Sequence, residues 1–170
     1  NLLENFFLKL SKSYKGNISS LVLNNNCTCE SSLGTNSIIK YLPNLLNHLA
    51  IFSNGTLFNK ENWNLIKDKY ETIDLIISID AATKETYKKL RCGNFDVLLN
   101  NLRMISELHR QHKIRNWSLN YVVQRDNYRE MIAFVELGRS LGVDKVSFLK
   151  MSNWGNLTRK EYLQKCMIFL

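Results

Sequence analysis

Residues 73–79 read Ile-Asp-Leu-Ile-Ile-Ser-Ile, an apolar, β-branched run followed at once by helix-start signals. A run of that length and composition predicts a buried strand. Ser78 and Asp80 are polar where such a strand leaves the core. Thr83 is placed to cap a helix, Glu85 puts negative charge in its first turn, and Lys88, Lys89 and Arg91 put positive charge in its last. Gly93 is expected to break that helix. A longer amphipathic helix is expected from about 94 to 112, with Phe95, Leu98, Leu99, Leu102, Ile105 and Leu108 on one stripe.

The same alternation runs along the chain. Further strands are expected at 18–23, 49–53, 117–124 and 143–149. Helices are expected at 2–14, at 36–48 with Pro43 dividing it, and at 60–70 with Trp63, Ile66 and Tyr70 facing inward. Another is expected at 128–141, with Met131, Phe134, Val135 and Leu141 on one face and Gly142 as its stop. Thr158-x-x-Glu161 is a capping box that starts a last helix. Strands alternating with helices predict an α/β fold with a mostly parallel sheet and right-handed crossovers. Sequence period does not choose between an open doubly wound sheet and a partial barrel. On the fourth strand Ser118, Asn120, Val122 and Gln124 share one face, opposite Trp117, Leu119, Tyr121 and Val123. That polar row suits the inside of an open barrel holding a site. Equally, Asn120 and Gln124 could satisfy neighbouring backbone groups.

At 170 residues the chain predicts one domain, 1–170, without a linker. It starts at Asn1 and ends in the apolar Met167-Ile-Phe-Leu170, which suggests a piece of a longer protein. The net charge of +8 invites a nucleic-acid reading, but the cations spread over helical faces without interleaved aromatics, so no nucleic-acid partner is expected. No apolar stretch approaches the ~20 residues of a membrane span, and no signal peptide is visible. Cys27, Cys29, Cys92 and Cys166 do not have the spacing of a disulfide scaffold, and a cytoplasmic location is expected. Cys92 and Cys166 read as small hydrophobes. His48, His109 and His112 read as surface histidines at helix ends or on charged faces.

The stretch from Ile73 through Asn101, with Ser78, Asp80, Thr83, Gly93 and Asn94 at its corners, resembles the fourth strand and following helices of radical S-adenosylmethionine (radical SAM) enzymes. The branch it is most similar to carries extra C-terminal iron–sulfur sites in many members. Ile51 to Leu57, with Ser53-Asn54-Gly55, resembles the third strand, which typically ends in Thr-Asn-Gly. Asn120 to Met131 resembles the fifth strand and its helix start, and Val146 to Phe148 with Asn153-Trp-Gly155 the sixth strand and its loop. The resemblance covers roughly residues 18–165. It implies an incomplete radical-SAM-type (β/α)6 partial TIM barrel, in which the five parallel strands here are the family's strands two to six.

The resemblance also implies cofactors: S-adenosylmethionine and a 4Fe-4S cluster in the complete protein. Three cysteines spaced Cys-x3-Cys-x2-Cys after strand one hold that cluster, since soft sulfur ligands suit iron–sulfur centres. No such spacing occurs in these residues, and Cys27-Thr-Cys29 is a lone pair that could bind metal or be incidental. The loop Asn25-Asn-Cys-Thr-Cys-Glu-Ser31 lacks the glycine that family members use to receive the methionine group. This chain alone is therefore expected to bind neither cofactor, and neither a catalytic residue nor a metal ligand is assigned. Ser78 and Asp80 occupy the places that contact the cofactor ribose in the family; Asn54, Asn120 and Gln124 are further cofactor-binding candidates. For Ser78 and Asp80 the alternative is a cap or a turn.

The implied activity is reductive cleavage of S-adenosylmethionine to a 5′-deoxyadenosyl radical, on a small-molecule or peptide substrate that the sequence does not identify. The alternative is a non-catalytic scaffold or interaction domain of the same fold. A third reading is an unrelated α/β barrel enzyme using Asp80 as acid or base. Without strand one the sheet edge and barrel mouth would be open, so self-association is expected.

Overall fold

A computed structural model describes residues 21–24, 48–153, 155 and 157–166. Its strands are β1 (Leu21–Asn24), β2 (His48–Ser53), β3 (Thr72–Ser78), β4 (Asn116–Val123) and β5 (Lys145–Lys150). Its helices are α1 (Lys60–Asn64), α2 (Lys84–Arg91), α3 (Phe95–Arg110), α4 (Met131–Leu141) and α5 (Arg159–Cys166). The expected helices at 2–14 and 36–48, and Cys27 and Cys29, lie outside the described residues.

All five strands pair in parallel, in the order β1-β2-β3-β4-β5. This order answers the question that sequence period leaves open. A doubly wound sheet reverses its order at a switch point and carries helices on both faces. Here the order never reverses, so right-handed crossovers put the described connecting helices on the same side.

Burial follows that asymmetry. On β3, Ile73, Leu75 and Ile77 are buried while Thr72, Asp74, Ile76 and Ser78 are half-buried. On β4, Trp117, Leu119 and Tyr121 are buried, and Ser118, Asn120 and Val122 are half-buried. The buried face meets Trp63, Ile66 and Tyr70, the α3 stripe of Phe95, Leu98, Leu102, Ile105 and Leu108, and Phe134 of α4. Tyr121, Phe134 and Phe148 stack with centroids 4.6 to 6.2 Å apart, which ties β4, α4 and β5 together. The opposite sheet face has no helix over it among the described residues.

The helix starts are as the side chains predict. Thr83 accepts from the Thr86 amide, Asn94 from those of Asp96 and Val97, and Thr158 and Glu161 close their box reciprocally. Five expectations are corrected. The left-handed residue that ends α2 is Cys92 at φ 53°, not Gly93. Gly93 is needed for another reason: a Cβ there would lie 2.8 Å from Cε1 of the buried Tyr87. Cys92 is also exposed rather than a core hydrophobe. His48 opens β2 instead of closing a helix. The helix expected at 60–70 is α-helical only over Lys60–Asn64 and continues as turns. Val135 faces solvent, and Gly138 takes the inward place between Phe134 and Leu141.

Candidate functional site

The candidate site is the C-terminal end of the uncovered sheet face, where α/β barrels carry their chemistry. Ser78 of β3 lies beside Asn120 of β4, and Asn120 beside Ser147 of β5. The three are half-buried, and none of their side chains has a hydrogen bond among the described residues. One step lower, Phe52, Ile76, Ser118 and Lys145 form the next row; one step higher, Val122 lies beside Leu149. At the ends of β4 and β5 a cavity of about 300 Å³ is lined by Val123, Phe148, Leu149, Lys150, Met151 and Cys166, but Val123, Phe148 and Lys150 belong to the helix-covered face and only Leu149 shares the strand face of the polar row. The polar row, with Val122 and Leu149 next along the same face, suits a ligand with hydroxyl groups at one end and a flat apolar face at the other.

Behind the row, the corner after β3 is built from three side chains. The ladder continues one residue past β3, with the Ile79 amide donating to the Asn120 carbonyl at 3.1 Å. The chain then turns at Asp80, a buried residue with φ 63°. Its carboxylate takes over from the backbone: Oδ1 accepts from the Val122 amide at 2.7 Å and Oδ2 from Arg91 Nη2 at 2.6 Å. Burial raises the Asp80 pKa above the ordinary carboxylate value, against the lowering effect of Arg91 and the Val122 amide.

Asn127, 1% exposed, is the second element. Its Nδ2 donates to the carbonyls of Asp80 and Val122, both at 2.9 Å, and its Oδ1 accepts from the Gln124 amide at 2.8 Å. Glu130 is the third. Its Oε2 accepts from the amides of Ala82 and Thr83 at 2.8 and 3.2 Å, and its Oε1 from the hydroxyls of Thr83 and Thr86. Burial pushes the Glu130 carboxyl upward, but the bonds from Thr86, Ala82 and Thr83 bring it below its ordinary range.

The structure thus brings Ser78 and Asn120 together and separates them in role from the other candidates. Asp80 is held on both carboxylate oxygens. Asn54 turns back on its own loop, its Oδ1 accepting from the amide and hydroxyl of Thr56 at 3.1 and 2.8 Å. Gln124 lies half-buried just past β4. Sequence reasoning missed Ser147, Asn127 and Glu130. The alternation Lys145, Ser147, Leu149 marks a face of β5, but only the register puts Ser147 next to Asn120.

The opposite end of the same face is closed by charge. Asp74 accepts two bonds from Arg115, at 2.7 and 3.0 Å, and two from Asn116, at 3.0 Å from its side-chain amide and 3.2 Å from its backbone amide. His48 stands 3.4 Å from Asp74, with Thr72 Oγ1 2.7 Å from its Nδ1.

The described residues do not fit an iron–sulfur cluster. Among them no group of three or more His, Cys, Asp or Glu side chains could hold a metal ion. Cys92 and Cys166 sit at the ends of α2 and α5, and both are free. The nucleoside of S-adenosylmethionine is different, because Ser78, Asn120 and Ser147 offer donors and acceptors of the kind its ribose hydroxyls require. Among the described residues no helix is long and apolar enough to cross a membrane.

Fold and site together define an α/β chain of the incomplete-barrel type with an open polar row at its strand ends. No protein-family model matches it. Over 118 residues it is 27% identical to proteins of Saccharolobus islandicus described as "Probable GTP 3',8-cyclase", a match covering 67% of this chain and 36% of the relative. The chain therefore spans about a third of the length of the curated relatives it matches. Streptococcus suis SuiB shares the fold with a TM-score of 0.64 at 13% identity, over 92% of this chain and 34% of that one. The same protein bound to S-adenosylmethionine gives 0.65 at 13% identity, over 90% and 34%. TYW1 with a lysine-pyruvate adduct bound gives 0.59 at 17% identity, over 94% and 54%. These similarities support a radical SAM family relationship, and the parallel sheet is consistent with a partial α/β barrel.

Proposed function

We propose that this chain supplies the nucleoside-facing wall of a radical SAM enzyme, with the adenosyl part of S-adenosylmethionine lying across the ends of β3, β4 and β5. The observation that carries this reading is the row Ser78–Asn120–Ser147, three adjacent polar side chains without hydrogen-bond partners among the described residues. Serine hydroxyls both donate and accept, and the asparagine amide presents one group of each kind, so the row can meet both hydroxyls of a ribose. Val122 and Leu149, adjacent one step further along the same face, give the base an apolar surface to lie against. Asp80 serves the same ribose wall from behind, by holding Val122 and Arg91. Bound S-adenosylmethionine supplies radical chemistry in this family; the part played by these residues is to bind and orient it and to limit its exposure to water.

The test is binding of 5′-deoxyadenosine and of S-adenosylmethionine, measured by calorimetry on the chain and on a Ser78→Ala/Asn120→Ala variant. Two hydrogen bonds lost at a partly open site weaken affinity by about tenfold or more. Equal affinity in the folded double variant would remove the ribose assignment.

A further inference from the structure

Glu130 is the N-cap residue of α4, yet its side chain caps nothing in its own helix. It crosses instead to the corner after β3, where it receives the amides of Ala82 and Thr83 and the hydroxyls of Thr83 and Thr86. Thr83 is the N-cap of α2. A single carboxylate therefore stands at the N-terminal ends of two helices, where negative charge is favoured at both. These helices follow β3 and β4, the strands that carry Ser78 and Asn120.

Resting on the nucleoside reading above, we propose that Glu130 is the positioning residue of this site: it locks the β3 and β4 corners together and so sets the spacing between Ser78 and Asn120. Glu130 touches neither side chain. Its effect passes through the 79–83 segment, whose Ile79 amide is bonded to the Asn120 carbonyl itself. Asp80 and Asn127 span the same corner, but both are buried among backbone groups. Glu130 is half-buried, which makes it the member most readily changed without disturbing the core.

The experiment compares the chain with Glu130→Gln, Glu130→Ala and a control, Asp144→Asn. Asp144 accepts from the Trp117 amide at 2.7 Å and stands 3.0 Å from His109 Nε2 at the far end of β4, so Asp144→Asn removes the charge of another structural carboxylate away from the site. The probe is 5′-deoxyadenosine, with affinity read by ligand-observed NMR and exchange rates of the Ala82 and Thr83 amides read on the same samples. Glu130→Gln is nearly isosteric, but it offers one acceptor oxygen where the carboxylate has two. The expected result is roughly tenfold weaker nucleoside binding and tenfold faster exchange of both amides in the two Glu130 variants, and wild-type affinity in Asp144→Asn. Equal weakening in Asp144→Asn would reduce the effect to stability and overturn the proposal. If the unaltered chain binds no nucleoside, the reading of the site fails by itself. The amides then decide: unchanged exchange in the Glu130 variants overturns the locking role, and accelerated exchange upholds it.

Discussion

Asp80 and Arg91 form an ion pair at 2.6 Å in which 7% and 16% of the side chains are exposed. Asp80 reaches this position only by adopting φ 63°, a conformation that costs a non-glycine residue about 1 kcal/mol. The pair and the Val122 amide hold it there. Removing one partner of a buried pair strands the other charge, so Arg91→Ala is expected to lower stability by roughly 3 kcal/mol. Urea unfolding measures this. A loss within a few tenths of a kcal/mol would mean that solvent reaches Asp80 freely.

Asn127 and Asn120 make opposite predictions although they stand on neighbouring segments. Asn127 satisfies the Asp80 and Val122 carbonyls and the Gln124 amide, so Asn127→Ala leaves buried polar groups unpaired and costs about 2 kcal/mol or more. Asn120 has no side-chain bond among the described residues, and Asn120→Ala is expected to change stability by less than about 0.5 kcal/mol. Denaturation midpoints of the two variants separate structural from ligand-facing asparagine.

Adjacent isoleucines test the one-sided covering of the sheet. Ile77 is fully buried against the helices, and Ile76 is half-buried on the open face. Ile77→Ala is expected to cost about 3 kcal/mol through the cavity it leaves, and Ile76→Ala about 1 kcal/mol. Equal losses would mean that both faces are covered in solution.

Asp74 gives the acid limit. Burial raises its pKa, but hydrogen bonds from Arg115 and Asn116 and the charges of Arg115 and His48 bring it below the usual 3.8. A depressed carboxylate adds stability that is present in full above its unfolded pKa and is lost as pH falls through the folded one. Stability should therefore hold near pH 5 and fall below about pH 4, with a shallower fall in Asp74→Asn. Parallel acid profiles for the two proteins would show that the Asp74 network contributes nothing to folding.

Much of this architecture is legible in the sequence because its signals are local. The caps at Thr83 and Thr158 need only a few neighbouring residues, and the two faces of β4 follow from strict alternation. Strand order is not local, and it is what separates a partial barrel from an open doubly wound sheet. Ser147 was hidden because a serine in a short strand means nothing until register places it beside Asn120. Glu130 and Asn127 were hidden because their partners lie more than 40 residues away, at Ala82, Thr83 and Asp80. Gly93 misled because glycine usually marks the left-handed end of a helix, whereas here its missing side chain makes room for Tyr87.

The central claim is tested most directly by mapping amide and side-chain NMR shifts of the isotope-labelled chain during titration with S-adenosylmethionine. The account predicts saturable shifts centred on Ser78, Asn120 and Ser147, spreading to Leu149 and Met151 but not to the Asp74–Arg115 end. Shifts confined to the Asp74–Arg115 end, or none at saturating ligand, would contradict it.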